Sequence, residues 1–390
     1  MSILHRFSFP TTIHFGAGAR RLVPEHLVAQ GKHRPLVVTD QGVEKLPFFA
    51  ELVQSLRDAG LEPAVYGGVQ GNPVESQVTA GGAVYRSHHA DCIVGIGGGA
   101  ALDVAKALAV MANHPGPLFD YEDEKPGARA IDGTIPYWIA IPTTAGTGSE
   151  VGRSAVVSDE TTHRKKIIFS PRLLAQAVFA DPELTVGLPG PMTAATGMDA
   201  LTHLVESYLA RGYHPLCDGI ALEGLRLVGA NLRRVMQEPG DIEARGGMLM
   251  ASMMGAIAFQ KGLGITHSVA HALGTVTDMH HGLANGIMID HALRHNVEGS
   301  KERFAEMART LHVPNPSAES FFRWLRDLKH DLGIPKDLEA AGIDDSKLEA
   351  LVDVAVEDGC HANNPVPCTR ADFERIFTHA LHPERAPHAP

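Results

Sequence analysis

The chain has 390 residues, 44% of them hydrophobic and 20% charged, enough for two good-sized cores. A formal charge of −11 at pH 7, spread along the sequence, argues against a nucleic acid or an anionic membrane as the main partner. The four cysteines, Cys92, Cys217, Cys360 and Cys368, form no CxxC pair and no regular spacing, which speaks against a zinc ribbon or a disulfide framework and fits reduced thiols in a cytoplasmic protein.

The opening "MSILHRFSFPTTIHFG" lacks a basic segment followed by an apolar one, and no run of about 18 apolar residues occurs, so neither export nor a membrane span is expected. Through residue 185, short β-branched runs alternate with helical stretches. "RPLVVTD" (34–40), "ADCIVGIGGG" (90–99) and "YWIAIPTT" (137–144) read as buried strands, and "FFAELVQSLRDAG" (48–60) and "AALDVAKALAVMAN" (100–113) as helices. That alternation predicts an α/β N-terminal domain with a parallel sheet. After "FADPELTVGLPGPMT" (179–193), dense in Pro and Gly, strand signals thin out and helical periodicity dominates, as in "AATGMDALTHLVESYLA" and "EARGGMLMASMMGAIAF". The expected division is therefore an α/β domain over 1–185 and an all-α domain over 186–390, with the Pro-rich end "LHPERAPHAP" frayed. No internal repeat or low-complexity tract stands out.

"CIVGIGGGAALDVAKAL" is a buried strand that turns through Gly97, Gly98 and Gly99 into a helix. Such a turn lets backbone N–H groups and a positive helix end approach a phosphate with no Cβ in the way, or it is simply a tight turn. The order G-x-G-x-x-G followed by an acid is not kept here; the candidate acid, Asp40, closes an earlier strand, where it either accepts a ribose 2′-hydroxyl or caps a turn. "PTTAGTGSE" (142–150) follows the next strand with hydroxyls at Thr143, Thr144, Thr147 and Ser149.

"TGMDALTHLVESYLA" sets Asp199 and His203 four residues apart on one helix face, and His267 and His271 repeat the spacing in "ITHSVAHALGTVTDMHHG". His280 and His281 follow a break containing Gly274 and Asp278. Several imidazoles buried close together are costly unless something accepts their lone pairs, so these residues are candidates for a four-ligand N/O site for Fe(II) or Zn(II). Spacing alone leaves open which four of the six bind.

The segments "FGAGA", "VVTD", "GNPVESQV", "GIGGGAALDVAKA", "IPTTAGTGSEV", "ADPELTVGLP", "ATGMDALTHLVESY", "GLGITHSVAHALG" and "HHGLANGIMI", in that order, resemble those of the iron-containing (group III) alcohol dehydrogenases over essentially the whole chain. The resemblance implies the dehydroquinate synthase-like architecture of that family: a dinucleotide-binding α/β domain, then a helical domain, with a metal in the cleft between them. It implies Asp199, His203, His267 and His281 as the ligands and His271 as a non-ligating histidine near the nicotinamide, and it leaves His280 outside the set. It also implies Asp40 on the adenosine ribose, Gly98, Gly99 and Asp103 near the pyrophosphate, and Thr143, Thr144 and Thr147 along the dinucleotide. Asn72 and Lys165 match positions facing the cofactor, with Lys166 competing for the lysine role, and Cys360 matches a position near the substrate pocket. Glu150 and Lys106 read as structural, through capping and a solvated helix face.

The function so implied is hydride transfer between a nicotinamide, NAD(H) in preference to NADP(H), and a small primary alcohol or aldehyde, with one divalent metal, Fe(II) favoured over Zn(II). His271 is the candidate proton relay, since an imidazole titrates near neutrality. Lys261, six residues before His267, is a candidate to meet an anionic group on the substrate. A glycerol-dehydrogenase-like polyol enzyme and a lyase or cyclase of the dehydroquinate synthase type are the alternatives. A homo-oligomer, dimer or larger, is expected from the resemblance.

Overall fold

In the computed structural model, residues 9, 11–123, 125–162 and 164–382 are described; the expected frayed end from 383 onward and residues 1–8 lie outside them. The chain divides into two compact units, 1–144 with 148–186, and 145–147 with 187–390.

The first unit runs β1 (Thr12–Phe15), α1 (Val23–Ala29), β2 (Pro35–Asp40), α2 (Pro47–Asp58), β3 (Ala64–Val69), α3 (Glu75–His88), β4 (Cys92–Gly97), α4 (Gly99–Asn113), β5 (Tyr137–Pro142), β6 (Ser154–Ser158), β7 (Lys165–Phe169) and β8 (Ala177–Ala180). Six strands form a parallel sheet in the order β1-β8-β5-β4-β2-β3. The central strands are covered on both faces, which is why "PLVVTD" and "CIVGIG" read as continuous apolar runs without alternation. Val94 and Ile96 pack with Leu52, Val53 and Leu56 of α2, whereas Gly95 sits against Leu102 and Ala105 of α4. The chain goes outward from β2 to β3 and then back past β2 to β4, so right-handed crossovers place α2 and α3 on opposite faces. The strand order therefore reverses between the C-terminal ends of β2 and β4, the position where open α/β sheets form a ligand crevice. Asp40 and Gly97 close those two strands.

The expected parallel sheet omits one feature: β6 and β7 form a separate antiparallel pair. β6 alternates half-buried and buried residues over "SAVVS", a signal too short to separate from a loop by pattern.

The second unit contains α5 (Gly190–Leu209), α6 (Pro215–Gln237), α7 (Ile242–Ala258), α8 (Ile265–Thr277), α9 (His281–Leu293), α10 (Val297–Thr310), α11 (Ala318–Asp331), α12 (Leu348–Glu357) and α13 (Arg370–Leu381), with no strand among its described residues. α5 is the central rod: it is buried continuously from Thr193 to Leu209, so every polar group on it needs a partner. α9 lies directly on α5 because Gly282 has no side chain; a Cβ there would fall 2.3 Å from the Ala195 carbonyl oxygen. Gly286, one turn on, packs likewise on Met198. Gly274, expected to break the chain before His280, lies inside α8, and the break is made by Asp278 alone, left-handed at φ 54°. Among the described residues, no single helix is long and apolar enough to cross a membrane.

Candidate metal centre

Three helices of the second unit bring four of the singled-out side chains together. α5 presents Asp199 and His203 one turn apart, α8 brings His267 in its first turn, and α9 begins with His281. Their donor atoms all lie within 4.8 Å of one another. His203 Nε2 is 3.9 Å and His281 Nε2 3.4 Å from Asp199 Oδ1, and the His203 and His267 rings stack at 4.7 Å. Asp199, His203 and His267 are buried. Burial pushes the His203 imidazole down to about 4, against the pull of Asp199, so it is neutral at pH 7 and keeps a lone pair to donate. One carboxylate and three imidazoles, without a thiolate, form a donor set suited to a divalent first-row cation, so these residues fit the metal that the sequence pointed to.

Glu206 went unnoticed in the sequence, although it lies on the same face of α5, three residues beyond His203. It accepts hydrogen bonds from the backbone N–H groups of Gly264 (3.0 Å), Thr266 (2.6 Å) and His267 (3.3 Å), and from His267 Nδ1 at 2.7 Å. One carboxylate thus caps the start of α8 and fixes the His267 ring, leaving Nε2 to face the cluster. Burial alone would raise Glu206; the hydrogen bonds from His267 and Thr266 more than reverse that and hold it below its ordinary value.

His271, one turn along α8, stays outside the cluster, with its ring stacked at 5.2 Å on His281. Its Nδ1 donates to Asp358 Oδ2 at 2.7 Å, and Asp358 also accepts from Ser268 Oγ (2.7 Å) and the Cys360 N–H (2.9 Å). Burial works to raise Asp358, and these partners carry it well below the usual carboxylate range. The donor atoms of His271, Asp358 and Cys360 share one locality, while burial and Asp358 drive the Cys360 thiol well above its ordinary value. Asp358 lies 87 residues from its histidine, so no spacing in the sequence announced it.

Two expectations change. Lys261 is not available to a substrate: its side chain is 1% exposed, and its ammonium donates to Asp218 Oδ1 (2.5 Å) and the Tyr208 carbonyl (3.0 Å). It ties α5 to α6, a role that distance along the chain from His267 could not reveal. Lys106 is structural but not on a solvated face; fully buried, it donates to Ser149 Oγ and the Ser154 carbonyl, each at 2.7 Å. His280, outside the ligand set as expected, accepts the Leu283 N–H on its ring and caps α9.

In the first unit, the crevice edge gathers the remaining candidates. Gly97 has φ +150°, and a Cβ on it would fall 2.6 Å from Ala101 Cβ and 3.0 Å from Asp40 Oδ2. Gly98 is the N-cap of α4, against Thr144, and Gly99 is the first helical residue. Asp40 divides its carboxylate: Oδ1 accepts the N–H groups of Gly42 and Val43, each at 2.9 Å, so the capping alternative is realised on one oxygen while the other faces Gly97. Thr143 is held by its N–H on the Gly97 carbonyl. Asp103 accepts from Ser149 Oγ (2.6 Å) and the Val156 N–H (3.1 Å), so its carboxylate anchors the loop after β5. Asn72 is exposed between β3 and α3. Lys165 starts β7, and Lys166 next to it pairs with Asp159 (3.1 Å) and Glu122 (3.6 Å). Thr147 belongs to the short segment counted with the second unit.

Two family descriptions cover most of the chain: iron-containing alcohol dehydrogenase over residues 10–182, and the C-terminal region of the same family over 193–381. A 4-hydroxybutyrate dehydrogenase of Cupriavidus necator is 36% identical over 380 residues, 95% of this chain and 98% of that protein. A crystal structure of 1,3-propanediol oxidoreductase superposes with a TM-score of 0.92 at 34% identity, covering 96% of this chain and 100% of the other. The sulfoacetaldehyde reductase of Bifidobacterium kashiwanohense, solved with NAD+, gives 0.90 at 28% identity over 97% and 99%. The family and the relatives are those of oxidoreductases acting on CH–OH groups. The chain belongs to the iron-containing alcohol dehydrogenase family.

Proposed function

We propose that this alcohol dehydrogenase interconverts a small primary alcohol and its aldehyde with NAD(H), using one divalent cation, Fe(II) ahead of Zn(II), held by Asp199, His203, His267 and His281. The observation that carries the reading is the gathering of one carboxylate and three imidazoles, all but His281 buried, with donor atoms within 4.8 Å of one another. A cation held there supplies Lewis acidity, the effect that takes the pKa of water from 15.7 to about 7, and so eases loss of the alcohol proton or polarises the aldehyde. The nicotinamide supplies the hydride chemistry.

The chain's own residues do the rest. Glu206 fixes the His267 tautomer through Nδ1. Asp358 fixes His271 in the same way, leaving His271 Nε2 to take the proton toward solvent during oxidation and return it during reduction. Gly97 to Gly99 leave room for a pyrophosphate at the start of α4, with Thr143, Thr144 and Thr147 alongside, and Asp103 supports that loop. Asp40 Oδ2 accepts a ribose 2′-hydroxyl and repels a 2′-phosphate, favouring NAD over NADP. Asn72 and Lys165 complete the cofactor contacts, with Lys166 the competing lysine. Residues 1–185 then serve the cofactor and 186–390 the metal, in a cytoplasmic homo-oligomer. The names of the 4-hydroxybutyrate and sulfoacetaldehyde relatives support a substrate with an anionic end, although Lys261 is not the group that meets it.

The test pairs elemental analysis with NAD reduction on a panel of simple alcohols, diols and ω-hydroxy acids. Chelation should abolish turnover and Fe(II) or Zn(II) restore it, while His271→Ala slows turnover about 100-fold or more with metal content intact. Full activity in rigorously metal-free protein would overturn the reading, and substrate turnover without net NADH would point instead to a lyase or cyclase.

A further inference from the structure

One buried side chain at the cluster belongs neither to the four candidate ligands nor to their carboxylate supports. Asn285 is completely buried, and its Nδ2 lies 2.8 Å from Asp199 Oδ1, 3.2 Å from His281 Nε2 and 3.5 Å from His267 Nε2. Its placement follows from α9. His281 and Asn285 are one turn apart, each immediately followed by a glycine, and Gly282 and Gly286 are the residues that let α9 lie on α5 beside Asp199 and Met198. The sequence carries this as the repeat H-G-x-x-N-G.

The orientation of the amide follows from its neighbours. Asp199 Oδ1 only accepts, so the group 2.8 Å away must be the NH2; an amide oxygen there would face a carboxylate oxygen. The neutral His267 ring, donating through Nδ1 to Glu206, keeps a lone pair on Nε2 as well. The amide nitrogen therefore points its donors into a group of acceptors. Asn285 Oδ1, by contrast, is buried without a hydrogen-bond partner, a cost that an apolar residue of similar size would not incur.

We infer that Asn285 is a positioning residue of the metal centre: its amide holds the Asp199 carboxylate in register with the imidazoles of His281 and His267, so that the four donors are assembled for a divalent cation. The inference rests on the metal-binding reading above and adds to it a residue that touches three of the four ligands.

The experiment measures affinity for Zn(II) and Co(II) by competition with a chelating dye, the visible spectrum of the Co(II) form, and the melting temperatures of metal-free and metal-loaded protein, for wild type, Asn285→Ala and Asn285→Asp. Asn285→Ala should bind about 10- to 100-fold more weakly, as for other groups that orient ligands, with an altered Co(II) spectrum and a larger drop in the loaded melting temperature than in the metal-free one. Asn285→Asp keeps the shape but sets a second carboxylate against Asp199, so its metal-free form should lose more stability than its loaded form; this variant decides the matter if Asn285→Ala does not fold. Affinity within about twofold of wild type, with both forms of each variant shifted equally, means the side chain only packs, and the inference fails. A wild type that takes up neither ion overturns the metal reading and this inference together, whereas normal wild-type binding beside unaffected variants overturns this inference alone.

Discussion

The crevice edge of the first unit and the donor cluster of the second are built on opposite principles. At the ends of β2 and β4 the working surface is backbone, and the critical feature is a side chain left out, at Gly97. At the cluster the working surface is side chains, held by further side chains: Glu206 on His267, Asn285 on Asp199, Asp358 on the neighbouring His271. The first kind of site fails when an atom is added, the second when an atom is removed.

The sharpest test of that contrast adds a single methyl group. Gly97→Ala puts a Cβ 2.6 Å from Ala101 and 3.0 Å from Asp40 Oδ2 on a backbone with φ +150°. Strain of this kind costs about 1–3 kcal/mol, and the start of α4 must shift to relieve it. NADH titration by fluorescence should show affinity lowered about 100-fold, while elemental analysis finds the metal retained, because all four of its proposed ligands belong to the other unit. Joint loss of cofactor and metal would break the comparison.

The same contrast explains what could be read from the sequence. Asp199 with His203 and His267 with His271 were legible because helical periodicity turns a spacing of four into a shared face, and α5 and α8 are helices there. The buried strands and the glycine turn were legible for a similar reason, since "PLVVTD" and "CIVGIGGG" are apolar without alternation. Glu206 could have been found by extending that logic one more turn along α5. Asp358 could not, because its partner His271 comes from another helix and only packing brings them together; Asn285 stands one turn from His281 on α9, but its contact with Asp199 of α5 is made by packing alone. Lys261 shows the converse error: closeness in sequence to His267 suggested an exposed charge, while Asp218 and the Tyr208 carbonyl draw the ammonium into the interior. The β6–β7 pair escaped because five residues of weak alternation carry little signal.

Two equally buried glutamates sharpen the comparison further. Glu206 accepts four hydrogen bonds and is held low, whereas Glu150 in the first unit, with Oε1 unpartnered, is raised by burial to about 7 despite its own backbone bond and the charge of Lys106. Between an unfolded value near 4.5 and a folded value near 7, the folded chain binds a proton that the unfolded chain does not, so stability falls as pH rises through that window. Glu150→Gln removes this dependence. Its denaturation midpoint should therefore gain on wild type between pH 5 and pH 8, by an amount equivalent to about 2–3 kcal/mol at most, and parallel curves would show that Glu150 is ionised throughout.

The smallest expected effect separates two roles in one carboxylate. Asp40 Oδ1 caps the turn at Gly42 and Val43, while Oδ2 faces the crevice. Asp40→Asn keeps an oxygen for the cap and replaces the outward one with a donor that no longer repels a 2′-phosphate. Asp40→Gly deletes both. If the charge sets cofactor choice, both variants should raise the NADP-to-NAD ratio of kcat/KM by about tenfold, which corresponds to 1.4 kcal/mol of discrimination. Only the glycine variant should also melt earlier, by the equivalent of about 0.3 kcal/mol for a lost cap. A ratio that moves in Asp40→Gly but not in Asp40→Asn would assign cofactor choice to the shape of the capped turn instead of to its charge, and the crevice would then be a site made of backbone alone.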